Sequence, residues 1–142
     1  MCIRLGVALF LGALMGVERE LVGKEAGIRT LMLTSSGAAV FSIIALNFPF
    51  LMGSAGANNA AAVGMIANIV IAAGFLGAGI IIKTQEHVHG LTSAMMIWTT
   101  AGVGVLAGVG MMEFAATVAV AISVILYLLR GFEVARSDTP SK

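Results

Sequence analysis

Charge is what this chain of 142 residues has least of. Asp, Glu, Lys and Arg make up 11% of it, against roughly 25% in a soluble domain. A chain so poor in charge cannot cover its surface with polar groups in water. The formal net charge of +1 gives no basic field for nucleic acid, and no nucleic-acid partner is expected. A single cysteine, Cys2, excludes an intrachain disulfide framework. Catalytic motifs are missing too. There is no H-E-x-x-H, no G-x-S-x-G and no G-x-x-x-x-G-K-[ST], so an enzyme is not expected. The glycine-rich run Gly74–Gly79 lies within an apolar stretch, where no nucleotide would reach it. Metal ligands are scarce. His87, His89 and Glu86 share one short turn, but a zinc site takes three or four ligands arranged around the ion. No metal and no cofactor are expected. The nine methionines read as core filler, because Met95-Met96 and Met111-Met112 show no converging sulfurs.

What the chain does have is apolar length. Hydrophobic residues are 59% of it and the mean hydropathy is +1.04. Uncharged runs extend over Ala60–Ile82, Leu91–Met112 and Phe114–Leu129. A bilayer-spanning helix needs about 20 apolar residues. Period-2 alternation is absent, and an open sheet edge in lipid would strand backbone groups. The reading is an all-α, polytopic membrane protein of five transmembrane helices, at about 2–19, 30–47, 61–82, 91–108 and 112–130. Asn47 and Pro49 are expected to end the second helix. Residues 1–132 form one transmembrane domain and 133–142 a short cytoplasmic tail. The N-terminal run is signal-peptide length. Glu18-Arg19-Glu20 follows it directly, with no good cleavage site, so cleavage is not expected. That first helix looks short at its outer end, as if the true start lay further upstream.

Lys and Arg set the orientation. Seven of them fall in the 18–29 loop, the 83–90 loop and the tail, against Arg4 alone on the other side. Both loops and the C-terminus are therefore expected in the cytoplasm and the N-terminus outside. The chain also echoes itself. Phe10-Leu11-Gly12-Ala13 returns 65 residues later as Phe75-Leu76-Gly77-Ala78. Each copy runs into a charged turn and a second apolar stretch. This suggests that helices 1-2 and 3-4 are a parallel repeat, an arrangement that in membrane proteins often places function at the shared interface.

Few residues offer chemistry. Glu18, Arg19 and Glu20 close the first helix and Arg29 opens the second. Charges at membrane depth pair or line a polar cavity, and Glu18 is placed to reach Arg29 across the hairpin. Glu18→Ala is therefore expected to impair function more than Glu86→Ala. Asn68 is the one amide within a clear span. It shares a helical stripe with Ala72, Phe75, Gly79 and Lys83, and its ordinary work there is an interhelical hydrogen bond. The Trp98 indole N–H would seek a partner such as Thr99 or Thr34. Gly12, Gly16, Gly77, Gly79, Gly104 and Gly108 are candidates for close helix packing, including packing in a dimer. Membrane lipid and a second copy are the expected partners, with another membrane protein complex as a third.

Two segments carry a family resemblance. Gly12-Ala13-Leu14-Met15-Gly16-Val17-Glu18-Arg19-Glu20, followed by Ala26-Gly27-Ile28-Arg29-Thr30, resembles the first signature of the MgtC/SapB membrane family. Gly74-Phe75-Leu76-Gly77-Ala78-Gly79, followed by Val88-His89-Gly90-Leu91-Thr92-Ser93-Ala94 and Trp98, resembles the second. The resemblance implies a bacterial inner-membrane protein with five transmembrane helices, linked to low-magnesium adaptation and to pathogen survival inside host cells. It also implies a regulator that docks another membrane complex, since the name-giving member is thought to restrain the proton-translocating ATP synthase. This chain has Thr92 where that member has Asn, at a position linked to that interaction. It has Thr99 where that member has Cys, and the resemblance is expected to extend over that member's transmembrane part without its soluble C-terminal domain. The alternative reading from the residues is a small ion or solute transporter built on the repeat interface.

Overall fold

The structure, a computed structural model, describes residues 1–51, 60–83 and 88–137. Five helices account for nearly all of it: α1 (Cys2–Leu21), α2 (Ile28–Leu51), α3 (Ala60–Ala78), α4 (Leu91–Val109) and α5 (Met112–Ser137). Three of them are long and apolar enough to cross a membrane, over Ile28–Asn47, Leu91–Val109 and Met112–Leu129. In α3 the apolar stretch is shorter, Ala62–Ala78. In α1 the apolar sequence is interrupted by Arg4 near one end and Glu18-Arg19-Glu20 at the other.

Local chemistry explains the helix ends. Gly23 takes φ +67°. Its N–H meets the Glu20 carbonyl at 3.1 Å, and the Lys24 N–H meets the Arg19 carbonyl at 3.0 Å. Gly110 repeats this at the end of α4 with φ +101°: its N–H meets the Ala107 carbonyl and the Met111 N–H meets the Leu106 carbonyl. Both are Schellman ends, which need a residue in the left-handed region. α2 runs past Asn47, contrary to the expected stop. The Asn47 amide donates to the Ile43 carbonyl at 2.7 Å, and a proline so near a helix end removes only one backbone bond. α3 is shorter than expected, ending at Ala78 rather than continuing to 82. Tight turn bonds from Gly79, Ile80 and Ile81 close it. The run of isoleucines that follows favours extended backbone, and Ile82–Lys83 pairs antiparallel with Val88–His89. This two-residue ladder lies outside the helices and leaves the all-α class unchanged. α5 continues to Ser137, so the first part of the expected tail is helical.

The core lies where α1, α2 and α4 cross. Ala8, Leu11, Met15, Leu31, Ala39, Ile97, Val103 and Ala107 are buried together. Glycine sets the spacing. A Cβ on Gly12 would stand 2.6 Å from the Leu31 carbonyl oxygen, and one on Gly16 would stand 2.5 Å from the Ile28 Cα. On α4, a Cβ on Gly104 would collide with the Ser35 carbonyl, and one on Gly108 would stand 2.7 Å from the Ala39 carbonyl oxygen. Both G-x-x-x-G pairs are thus spent inside the chain, bringing backbones into contact where side chains would hold them apart. Gly77 packs on α4, 3.0 Å from the Ala94 carbonyl by the same measure, whereas Gly79 meets only carbonyls of its own turn. The two glycines of the echo, Gly12 and Gly77, each lie at a contact within their own hairpin. α5 packs mainly through Ala115 and Ala119 and leaves most of its surface uncovered, including Val124, Ile125, Tyr127 and Leu128.

Candidate functional site

The two signature segments meet at one serine. Arg19, on the last turn of α1, is only 4% exposed. Its Nη2 donates to Ser93 Oγ at 2.6 Å, and Ser93 Oγ donates in turn to Glu25 Oε2 at 2.8 Å. Ser93 is itself 1% exposed, in the first turn of α4. A buried guanidinium needs acceptors and a counter-charge; here the hydroxyl supplies the first and relays to the second. The short turn ending at Gly23 brings Glu25 back over the helix end. The Glu25 carboxyl sits below its ordinary value of 4.5. A backbone hydrogen bond is the main cause and the Ser93 hydroxyl the next; Arg19 and Lys24 add attraction, while desolvation opposes the shift.

Glu20 does a different job. Its Oε2 accepts from the Ile28 N–H at 2.7 Å, which caps α2 from the end of α1. A Cβ on Gly27 would collide with that carboxylate, so the glycine makes room for the cap. An acidic group at a helix N-terminus is favourable on both hydrogen-bonding and dipole grounds. Gly16, Glu20, Gly27 and Ile28 thus form one hairpin lock within the first signature.

The other candidates are dispersed. Glu18 does not meet Arg29. Its Oε2 is buried without a hydrogen-bond partner, and Arg29 is exposed, so among the described residues they form no ion pair. The helix period explains this: Glu20 is the carboxylate that faces the α2 entrance, and Glu18 lies about 160° around α1 from it. Thr92 is exposed next to Ser93. Trp98 is 46% exposed, and its ring borders Gly74 of α3. Thr99 and Thr34 bond instead to the Met95 and Thr30 carbonyls of their own helices. Leu91, Thr92, Met95 and Trp98 form one exposed strip of α4. Next to it, Gly102 has open space where a Cβ would be. Asn68 is exposed on α3. Glu86 and His87 lie outside the described residues, and these contain no group of three or more metal-ligating side chains.

Ser93 and Glu25 were not singled out from the sequence. The signal available was positional: Ser93 sits within the second signature and Glu25 within the loop of the first, with the pairing visible only once α1 and α4 are packed. The set is not a nucleophile and base. Ser93 is buried and its proton is directed to a carboxylate of lowered basicity, an arrangement that holds rather than reacts. A separate apolar groove of about 390 Å³ runs between α1 and α2. It is lined by Leu5, Leu9, Leu33, Gly37, Val40 and Phe41, among others, and holds none of the charged residues.

The chain is 39% identical over 123 residues to Protein MgtC of Brucella abortus (strain 2308), an alignment covering 87% of this chain and 48% of that protein. It is 38% identical over 124 residues to Protein MgtC of Salmonella typhimurium (strain LT2), covering 87% and 49% respectively. The chain therefore spans about half the length of the curated relatives it matches. No solved structure matches it. The family model described as MgtC family matches residues 5–135, taking in both signatures and all five helices, and the chain belongs to that family.

Proposed function

We propose that this protein is a non-catalytic regulator of the bacterial inner membrane. It crosses five times, with its N-terminus outside and its C-terminus in the cytoplasm, and acts by docking another membrane protein complex. The observation that carries this reading is the α4 strip of Leu91, Thr92, Met95 and Trp98. It is exposed on its outer side, and the Arg19–Ser93–Glu25 relay fixes it from within. A rigid helix face with a half-exposed tryptophan beside an open glycine suits protein recognition. The low-magnesium and intracellular-survival roles implied by the family resemblance fit a regulator of this kind. The test is affinity purification of the full chain from native membranes in mild detergent, comparing wild type with Trp98→Ala and with Phe10→Ala as an exposed control. A membrane complex retained by wild type and Phe10→Ala but lost from Trp98→Ala is the expected result. Recovery of self-oligomer alone overturns the reading.

A second reading, a small ion or solute transporter, is favoured by three buried polar atoms without partners: Glu18 Oε2, Arg19 Nε and Ser35 Oγ. Such atoms are what a polar path would use. The backbone contacts at Gly12, Gly104 and Gly108 favour the regulator, because they close the α1–α2–α4 core. Flux of magnesium, protons or small anions through purified protein in liposomes decides for transport, and no flux decides against it.

A further inference from the structure

Asn68 stands at the middle of α3, in the sequence Ala60–Ala78, and is exposed. Every other hydrogen bond made by a helical Ser, Thr or Asn on an exposed or half-buried surface of the described helices returns to a carbonyl of its own helix. Thr34, Ser36, Asn47, Thr99, Thr117 and Ser123 all do so. Asn68 makes no such bond, and no other described residue approaches it with one. In hydrocarbon neither water nor lipid tails can satisfy the amide, and leaving it unpaired is unfavourable.

We propose that α3 is a self-association surface, in which Asn68 of one copy pairs with Asn68 of a second copy across a two-fold axis. The chemistry selects this occupant. A carboxamide carries both donor N–H groups and an acceptor C=O, so two of them facing each other exchange two hydrogen bonds, each donating one N–H to the other's carbonyl. A two-fold contact is self-complementary by definition and needs no other partner. The surroundings permit the approach. One turn before Asn68, Gly64 has open space where a Cβ would be, and one turn after it stands Ala72. Ile71 and Phe75, 70% and 79% exposed, flank the amide and would pack on the second copy. α3 meets its own chain through the opposite side, at Ala73 and Gly77. The G-x-x-x-G pairs of α1 and α4 are already buried within the chain, so they are not available for this contact.

The test uses the full chain in liposomes, with dimerisation followed by energy transfer across a range of protein-to-lipid ratios. Asn68→Leu should weaken dimerisation about 10-fold, while Asn68→Gln, which keeps the amide, should retain most of it. Because Asn68 is exposed, neither change should alter the helix content by circular dichroism. In a Cys2→Ser background, Asn68→Cys should form an intermolecular disulfide on mild oxidation, since the position faces itself. Val63→Cys, exposed on a different side of α3, should not. The proposal is overturned by a chain that stays monomeric at every ratio, which would assign the amide to another protein. It is equally overturned by Asn68→Leu dimerising as well as wild type, or by crosslinking at position 63 but not at 68.

Discussion

Ser93 carries more of this protein's connectivity than its size suggests. It links the buried Arg19 guanidinium to the Glu25 carboxylate, so removing its hydroxyl leaves the cation without that acceptor. Leaving a buried polar group unsatisfied costs about 1–3 kcal/mol. Ser93→Ala should lower stability by that amount in a thermal melt in detergent. The neighbouring Thr92→Ala, on the exposed side, should stay within about 0.5 kcal/mol of wild type. Glu25 gives the relay a pH dependence. Its folded pKa is lowered, so the unfolded chain binds its proton more readily and the contribution to stability is present above the ordinary carboxylate value. That contribution is lost as pH falls through the folded pKa. A melt series from neutral to acid pH should therefore show wild type above Glu25→Gln at neutral pH, with the two converging below 4.5. A constant gap across the series would show that the carboxylate charge is not what matters.

At the scale of the helix, glycine decides the packing. Where α4 crosses α2, a Cβ on Gly104 would enter the Ser35 backbone, and backbone cannot rotate away as a side chain can. Gly104→Ala should destabilise by about 1–3 kcal/mol through forced separation of the two helices. Gly37 on α2 has open space where a Cβ would be, so Gly37→Ala should be neutral or stabilising by up to about 1 kcal/mol, the helix-propensity gain alone. Both variants can be read in the same melt, and the opposite ordering would remove glycine spacing as the cause. The first signature works in the same way. Gly16 admits α2, and Gly27 admits the Glu20 carboxylate that caps it. Of the residues that look like a charged functional cluster, Glu20 is thus part of this hairpin lock. Gly23 and Gly110 end their helices as glycines do, a signal carried by the residue type itself. The stop at Asn47 and the extension of α3 to 82 were misplaced. A proline so near the end of α2 removes only one backbone bond, and a β-branched run closed α3.

For the whole molecule, orientation is the property most open to direct test. In a Cys2→Ser background, Lys24→Cys should react with a membrane-impermeant thiol reagent only from the cytoplasmic side. Met111→Cys, in the exposed α4–α5 turn, should react only from the outside. Labelling of both from one side would refute the five-crossing arrangement. In the proposed orientation the Arg19–Ser93–Glu25 relay and Thr92 would stand at the cytoplasmic end of the bundle.

The sequence by itself determined the class and the chemical character of the chain. Scarcity of charge, long apolar runs and glycine spacing follow from residue identity alone, because solvent preference and backbone access are properties of single residues and their period. The signatures, read in order, were enough to point to the family. Only the tertiary structure decided which polar groups meet. Arg19 and Ser93 are 74 residues apart, and the side chains that join them depend on how far α1 turns before it ends and on where α4 enters beside it. The same is true of the expected Glu18–Arg29 pair: the carboxylate that reaches the start of α2 is Glu20, on nearly the opposite side of α1 from Glu18.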